Sequence, residues 1–241
     1  MRRTKNSRDL RERPNVVAAV HSDGALRRAV ELQPDEVDFL EIRVDNFALD
    51  PAPLLEALPQ LRVPLLITVR HPMEGGANRL NFAQRSELFA QFLPRATLID
   101  VELRSWEGLS ETIAAARQAG VKVIASTHDF NAMPPAVHLQ QIIRRADKLG
   151  ADICKIAAVA SNPGALSRLL LLMAARQPLP LSVMGMGKLG KISRLLLAQA
   201  GSVLNYGYLD TPNASGQWEA TVLKQRLAEL EEEDRKVKAE E

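Results

Sequence analysis

Short apolar runs alternate with amphipathic stretches along nearly the whole chain, and this alternation narrows the possible folds more than any other feature. Residues 15–20, 38–45, 64–70, 96–103, 121–129, 151–160, 180–186 and 203–209 read as strands. Most are almost continuously apolar, as strands buried on both faces of a parallel sheet are. Helical patterns follow at about 25–32, 52–58, 82–93, 110–119, 135–149, from 163, 189–200 and 217–237. Prolines sit where helices start, and Gly120 and Gly150 sit where two of them stop. Eight strand–helix units in 241 residues predict a single-domain α/β fold, a (β/α)8 TIM barrel spanning residues 14–241. An open doubly wound sheet is the alternative. No Gly-x-Gly-x-x-Gly follows the first run, so a dinucleotide fold has little support.

The sixth run, Ile153-Cys154-Lys155-Ile156-Ala157-Ala158-Val159, carries one lysine among apolar residues. A lysine buried there is costly unless it sheds its proton or finds a partner. It can be a strand-end residue whose ammonium snorkels outward. Alternatively it is a Schiff-base lysine, since an unprotonated amine attacks ketones and aldehydes.

Composition removes several function classes. The net charge is only +2, so nothing biases the whole chain toward nucleic acid or membrane. Basic residues do gather in residues 1–13, where Arg2, Arg3, Lys5, Arg8, Arg11 and Arg13 face Asp9 and Glu12. That segment reads as a solvated, flexible tail; a nucleic-acid or partner arm is the other reading. No apolar segment follows it as in a secretory signal, and no run is long enough to span a bilayer. The one cysteine, Cys154, excludes a disulfide framework and reads as a strand-core residue. A cytoplasmic protein is expected.

In a barrel, chemistry gathers at the C-terminal ends of the strands. Glu41 and Arg43, Arg70, Asp100 and Glu102, His128, Lys155, Met184 and Tyr206 all fall near such ends. Each alone has an ordinary structural explanation, but their common phase points to one site. Glu41, Arg43 and Asp45 alternate with Ile42 and Val44, so the three polar side chains should share a face. Arg43 and Arg70 could hold an anionic or polyhydroxylated ligand. His128 lies one strand before Lys155 and could serve as general base on a carbon next to an iminium. Glu74 is the candidate to orient its ring, with Asp129 or Asp100 as alternatives. His21, His71 and His138 lack this context, and no metal-ligand spacing is present. The segment from Met184 to Arg194 contains Gly185, Gly187 and Gly190 and runs into a helix. It reads as an anion site with Arg194, or as tight packing through glycine.

Taken together these residues resemble type I 3-dehydroquinate dehydratase over roughly residues 15–217. Glu41-x-Arg43, Arg70 followed by Glu74-Gly75-Gly76, Ser126 to Phe130 around His128, Lys155, and Met184 to Arg194 match in order. The resemblance implies a lyase that dehydrates 3-dehydroquinate to 3-dehydroshikimate without metal or other cofactor. It implies a Schiff base on Lys155, general acid–base work by His128 and orientation of His128 by Glu74. It further implies that Arg194 binds the substrate carboxylate, that Glu41, Arg43, Arg70, Asn213 and Gln217 bind the rest, and that Met184 and Tyr206 form apolar walls. A homodimer is implied too. Two features depart from the family. Its lid loop often reads Ser-x-Pro-Gly-Gln, and here it is Asn213-Ala214-Ser215-Gly216-Gln217; its usual Phe on the last strand is Tyr206. The alternatives are another class I Schiff-base, aldolase-type lyase and a ligand-binding relative that does not turn over.

Overall fold

The structure is a computed structural model that describes residue 10 and residues 13–240. Eight parallel strands, β1 (Asn15–Val20), β2 (Phe39–Arg43), β3 (Leu65–Thr68), β4 (Ala96–Glu102), β5 (Lys122–Asp129), β6 (Ile153–Val159), β7 (Leu181–Met186) and β8 (Leu204–Tyr208), lie in the order β7-β6-β5-β4-β3-β2-β1-β8. The seam between β7 and β8 is closed differently from the others. Val203 N–H donates to the Leu181 carbonyl at 2.9 Å, and two serines supply the rest. Ser182 Oγ donates to the Leu204 carbonyl at 2.7 Å, and Ser202 Oγ accepts from the Val183 N–H at 3.0 Å. The result is the expected (β/α)8 barrel.

The helices α1 (Asp23–Glu31), α2 (Ala52–Ala57), α3 (Phe82–Phe92), α4 (Ser110–Gln118), α5 (Ala136–Lys148), α6 (Pro163–Ala174), α7 (Gly190–Gln199) and α8 (Ala220–Glu240) surround the strands. Local chemistry sets their ends. Ser22 caps α1, Asn162 caps α6 ahead of Pro163, and Asn81 with Gln84 forms a capping box on α3. Gly120 and Gly150 stop α4 and α5 at positive φ of 68° and 70°, a conformation that costs glycine little.

The two faces of the sheet have different jobs. Leu40, Ile42, Ile67, Ile99, Val101, Val123, Cys154, Ile156 and Val183 face outward into the core beneath the helices. Burial pushes the Cys154 thiol up to about 12, so it remains a protonated core residue. Val17, Phe39, Leu66, Leu98, Ile124, Ile153 and Leu204 fill the barrel interior. Toward the strand ends the inward positions become polar: Phe39 gives way to Glu41 and Arg43, Leu66 to Thr68, Leu98 to Asp100 and Glu102, Ile124 to Ser126 and His128, and Ile153 to Lys155. The apolar lower layers hold the barrel together, and the upper layers are left for chemistry.

Several sequence-derived boundaries shift for physical reasons. The second strand stops at Arg43, because Asp45 turns into a short 3-10 turn, Val44–Phe47, and accepts the N–H groups of Arg70 and Ala77. The last helix starts at Ala220 rather than 217, since Gln217 closes the preceding loop on itself. Most of the basic segment 1–13 lies outside the described residues. Of the two that are described, Leu10 is buried with the barrel interior and Arg13 pairs with Asp38 at 2.7 Å.

Candidate active site

Lys155 is 4% exposed, so it does not snorkel. Its Nζ lies 2.9 Å from Asp100 Oδ2 and 3.6 Å from Glu41 Oε1, and the Tyr206 ring covers it at 3.9 Å from the ring centroid. The burial cost is therefore met by a partner. Asp100 belongs to a larger buried network. Its Oδ1 accepts from Arg70 Nη1 at 2.8 Å and from Ser126 Oγ at 2.5 Å. Arg70 Nη1 also meets Glu102 Oε1 at 2.9 Å, and Arg85 Nη2 holds Glu102 Oε2 at 2.6 Å. Burial alone would raise the Asp100 pKa, but the Arg70 and Lys155 charges outweigh it and hold the carboxyl well below its usual range. Burial likewise opposes the Arg70 charge, and Asp100 and Glu102 more than restore it.

His128 stands one layer higher on β5, since Ser126 is the residue in register with Lys155. Its Nδ1 is 2.9 Å from Glu74 Oε2, and its own backbone N–H donates to the same oxygen at 3.0 Å. Glu74 ends a one-turn 3-10 helix, Pro72–Glu74, that follows β3. Gly75 comes next at φ 83°, which lets the chain turn away at once. Burial lifts the Glu74 carboxyl to about 7, against the pull of Arg70 and Arg104. Burial, followed by the Arg70 and Lys155 charges, keeps the His128 imidazole well below its usual value. The ring is thus neutral near pH 7. With Nδ1–H given to an ionised Glu74, Nε2 carries a lone pair, as a general base requires.

Arg194, near the start of α7, is buried with no carboxylate bonded to it among the described residues. Its Nε donates to the Tyr206 carbonyl at 3.0 Å, and Nη1 donates to the carbonyls of Gly185, Gly190 and Gly216. Burial pulls its guanidinium down to about 10. Arg43 differs: burial opposes its charge, but Asp45, bonded at 3.0 and 2.8 Å, holds it above its ordinary value. Arg43 also donates to the Gly75 carbonyl at 2.9 Å.

These groups line one cavity of about 110 Å³ at the C-terminal mouth of the barrel, bounded by Glu41, Arg43, Arg70, His128, Lys155, Met184, Arg194, Tyr206, Asn213 and Gln217. Glu74 stands behind it, bonded to His128. Every sequence-predicted site residue is therefore in this wall or directly behind it. The loop at 213–217 forms part of the rim through backbone bonds. Gln217 Oε1 accepts the N–H groups of Asn213 and Ala214 at 2.9 and 3.2 Å, and the Ser215 carbonyl accepts from Gly187 N–H at 3.0 Å. Gly216 and Gly190 touch backbone to backbone, and a Cβ on Gly190 would lie 2.8 Å from Gly216 atoms. Gly190 thus serves close packing, whereas Gly187 serves the turn through its φ of 83°. The differing side chains at Asn213 and Ser215 leave these bonds in place.

Three features escaped sequence reading. Asp100 was a candidate to orient His128, but it is the partner of Lys155, while Glu74 holds the histidine. Phe130 stacks on His128, with ring centroids 6.2 Å apart and planes at 14°. The Tyr206 wall is not purely apolar, because it buries a hydroxyl that has no hydrogen-bond partner among the described residues. Among the described residues no cluster of three or more His, Cys, Asp or Glu could hold a metal, and no helix is long and apolar enough to cross a membrane.

The sequence and the fold have counterparts in known proteins. The sequence profile of the type I 3-dehydroquinase family matches residues 16–234. This chain belongs to the type I 3-dehydroquinase family. A 3-dehydroquinate dehydratase of Methanocella arvoryzae is 34% identical over 205 residues, covering 85% of this chain and 91% of the relative. One from Klebsiella pneumoniae is 35% identical, covering 81% and 83%. A crystal structure of the type I enzyme from Clostridium difficile, with covalently modified comenic acid, superposes with a TM-score of 0.81 at 30% identity, covering 92% of this chain and 94% of that one. The 3-dehydroquinase family assignment thus extends over the whole barrel.

Proposed function

We propose that this protein dehydrates 3-dehydroquinate to 3-dehydroshikimate through a Schiff base on Lys155. The observation that carries the reading is the pairing of a buried, carboxylate-bonded lysine on β6 with a neutral, Glu74-bonded histidine on β5, both on one cavity. The Lys155 amine, once deprotonated, adds to the C3 carbonyl, and water leaves to give an iminium. The iminium acidifies C2–H, and His128 Nε2 takes that proton to give an enamine. The enamine electrons expel the C1 hydroxyl, which takes the proton back from His128 and departs as water. Hydrolysis of the resulting imine releases the product and the lysine. The sum is loss of one water from the substrate. Glu74 orients His128 and stabilises the imidazolium that forms in passing.

The other side chains bind and position. Arg194, buried without an anion, takes the substrate carboxylate. Arg43, the Nη2 edge of Arg70, Glu41, Asn213 and the amide nitrogen of Gln217 face the ring hydroxyls, and Met184 with the Tyr206 ring packs against carbon. The covalently modified ligand in the Clostridium difficile relative is in keeping with covalent chemistry in this family. Purified protein mixed with 3-dehydroquinate should produce the ultraviolet absorption of a conjugated enone; no absorption from folded protein would defeat the reading. A homodimer and a cytoplasmic location belong to the same proposal, and light scattering and cell fractionation test them.

A further inference from the structure

The Glu74 carboxylate has two oxygens with separate duties. Oε2 receives both the Nδ1 and the backbone N–H of His128. Oε1 meets Arg104 Nε at 3.0 Å. Arg104 projects from the turn Leu103–Ser105 that follows β4. Its Nη1 also sits 3.1 Å from Met73 Sδ, so the guanidinium grips two residues of the Pro72–Glu74 turn. The side chain is 43% exposed, whereas Glu74 is buried. Arg104 therefore reaches from solvent to the carboxylate that orients the histidine.

We propose that Arg104 is a positioning residue for the general base, holding Glu74 in the orientation that presents Oε2 to His128. The inference rests on the function proposed above. The charged or titratable groups facing Glu74 are Arg70 from the end of β3, Glu102 from β4, Arg104 from the next turn and His128 from β5. His71, on the same turn, directs Nδ1 at the Met73 N–H. Arg70 is committed to Asp100 and Glu102, and the Glu102 charge acts on Glu74 against that of Arg70. Among the described residues this leaves Arg104 as the cation bonded to Glu74 itself. Removing it takes a stabilising charge from the carboxylate and frees the turn to drift. Glu74 would then hold its proton to higher pH, and a protonated Glu74 no longer fixes the His128 tautomer.

The test is the pH dependence of kcat/KM with 3-dehydroquinate for the wild type, Arg104→Gln and Arg104→Lys. The acid limb in Arg104→Gln should move up by about 0.5–1 pH unit, a modest shift because the cation is half exposed. Activity on that limb should fall about 3- to 10-fold and recover to within about twofold of wild type in alkali, with Arg104→Lys in between. Superimposable profiles would overturn the proposal. So would an equal loss at every pH that lysine does not rescue, the mark of a purely structural arginine. A wild type that does not turn over would remove the proposed function and this inference with it. A wild type that turns over, with an unmoved limb in the variant, would remove only the inference.

Discussion

Lys155 Nζ and Asp100 Oδ2 are 2.9 Å apart in the barrel interior, with the Asp100 side chain fully buried and the Lys155 side chain only 4% exposed. The pair joins the candidate nucleophile to the ion network of Arg70, Glu102 and Arg85. Asp100→Asn should therefore damage stability and chemistry together. It leaves Lys155 and Arg70 short of an anion, a change that typically costs about 3–5 kcal/mol for a buried pair. Urea titration should show that loss, and kcat/KM should fall at least about 100-fold. The pH dependence follows from the depressed carboxyl. Its contribution is complete above the ordinary Asp value of 3.8 and is lost as pH falls toward the lower folded value. Acid unfolding should accordingly be shallower in the variant.

Glu74 works in the opposite direction. Its carboxyl is raised from 4.5 to about 7, so between those values the folded chain holds a proton that the unfolded chain has released. This group's contribution to stability falls as pH rises from 4.5 to 7 and is lowest above 7. Glu74→Gln should remove that slope from a plot of unfolding free energy against pH. The same variant should lower kcat by about 10- to 100-fold and flatten the acid limb near neutrality.

Among the described residues the buried Tyr206 hydroxyl has no partner, and burial with the Glu41 and Asp100 charges keeps it protonated. An unsatisfied buried hydroxyl typically costs about 1–3 kcal/mol. Tyr206→Phe keeps the ring over Lys155 and removes that cost. Its thermal midpoint should rise by about 2–4 °C per kcal/mol regained, as read by calorimetry. An unchanged or lower midpoint would show that the hydroxyl is satisfied in the folded protein.

The barrel was legible because its outward strand positions are apolar for a simple reason: each is covered by a helix. The polar steps above the apolar ones, such as Phe39 to Glu41 to Arg43, marked where the strands open into a site. Glu74 was legible as the partner of His128 through its place in the Arg70-x-x-x-Glu74 loop. The Lys155–Asp100 pair was not, because two strands separated by β5 are brought together only by closure of the barrel. Arg104 carried no signal either: an arginine in a surface turn looks like any other until the fold sets Glu74 beside it. The closing loop could be recognised by Gln217, but its reliance on backbone bonds could not.

The central claim is that Lys155 forms a covalent imine with the substrate. Borohydride reduction in the presence of 3-dehydroquinate, followed by intact mass and peptide mapping, tests it most directly. The account predicts a ligand-sized mass increase on Lys155, absent in Lys155→Ala and still formed in His128→Ala, which should turn over slowly. Folded wild-type protein with no adduct, or with the adduct on another lysine, would contradict it.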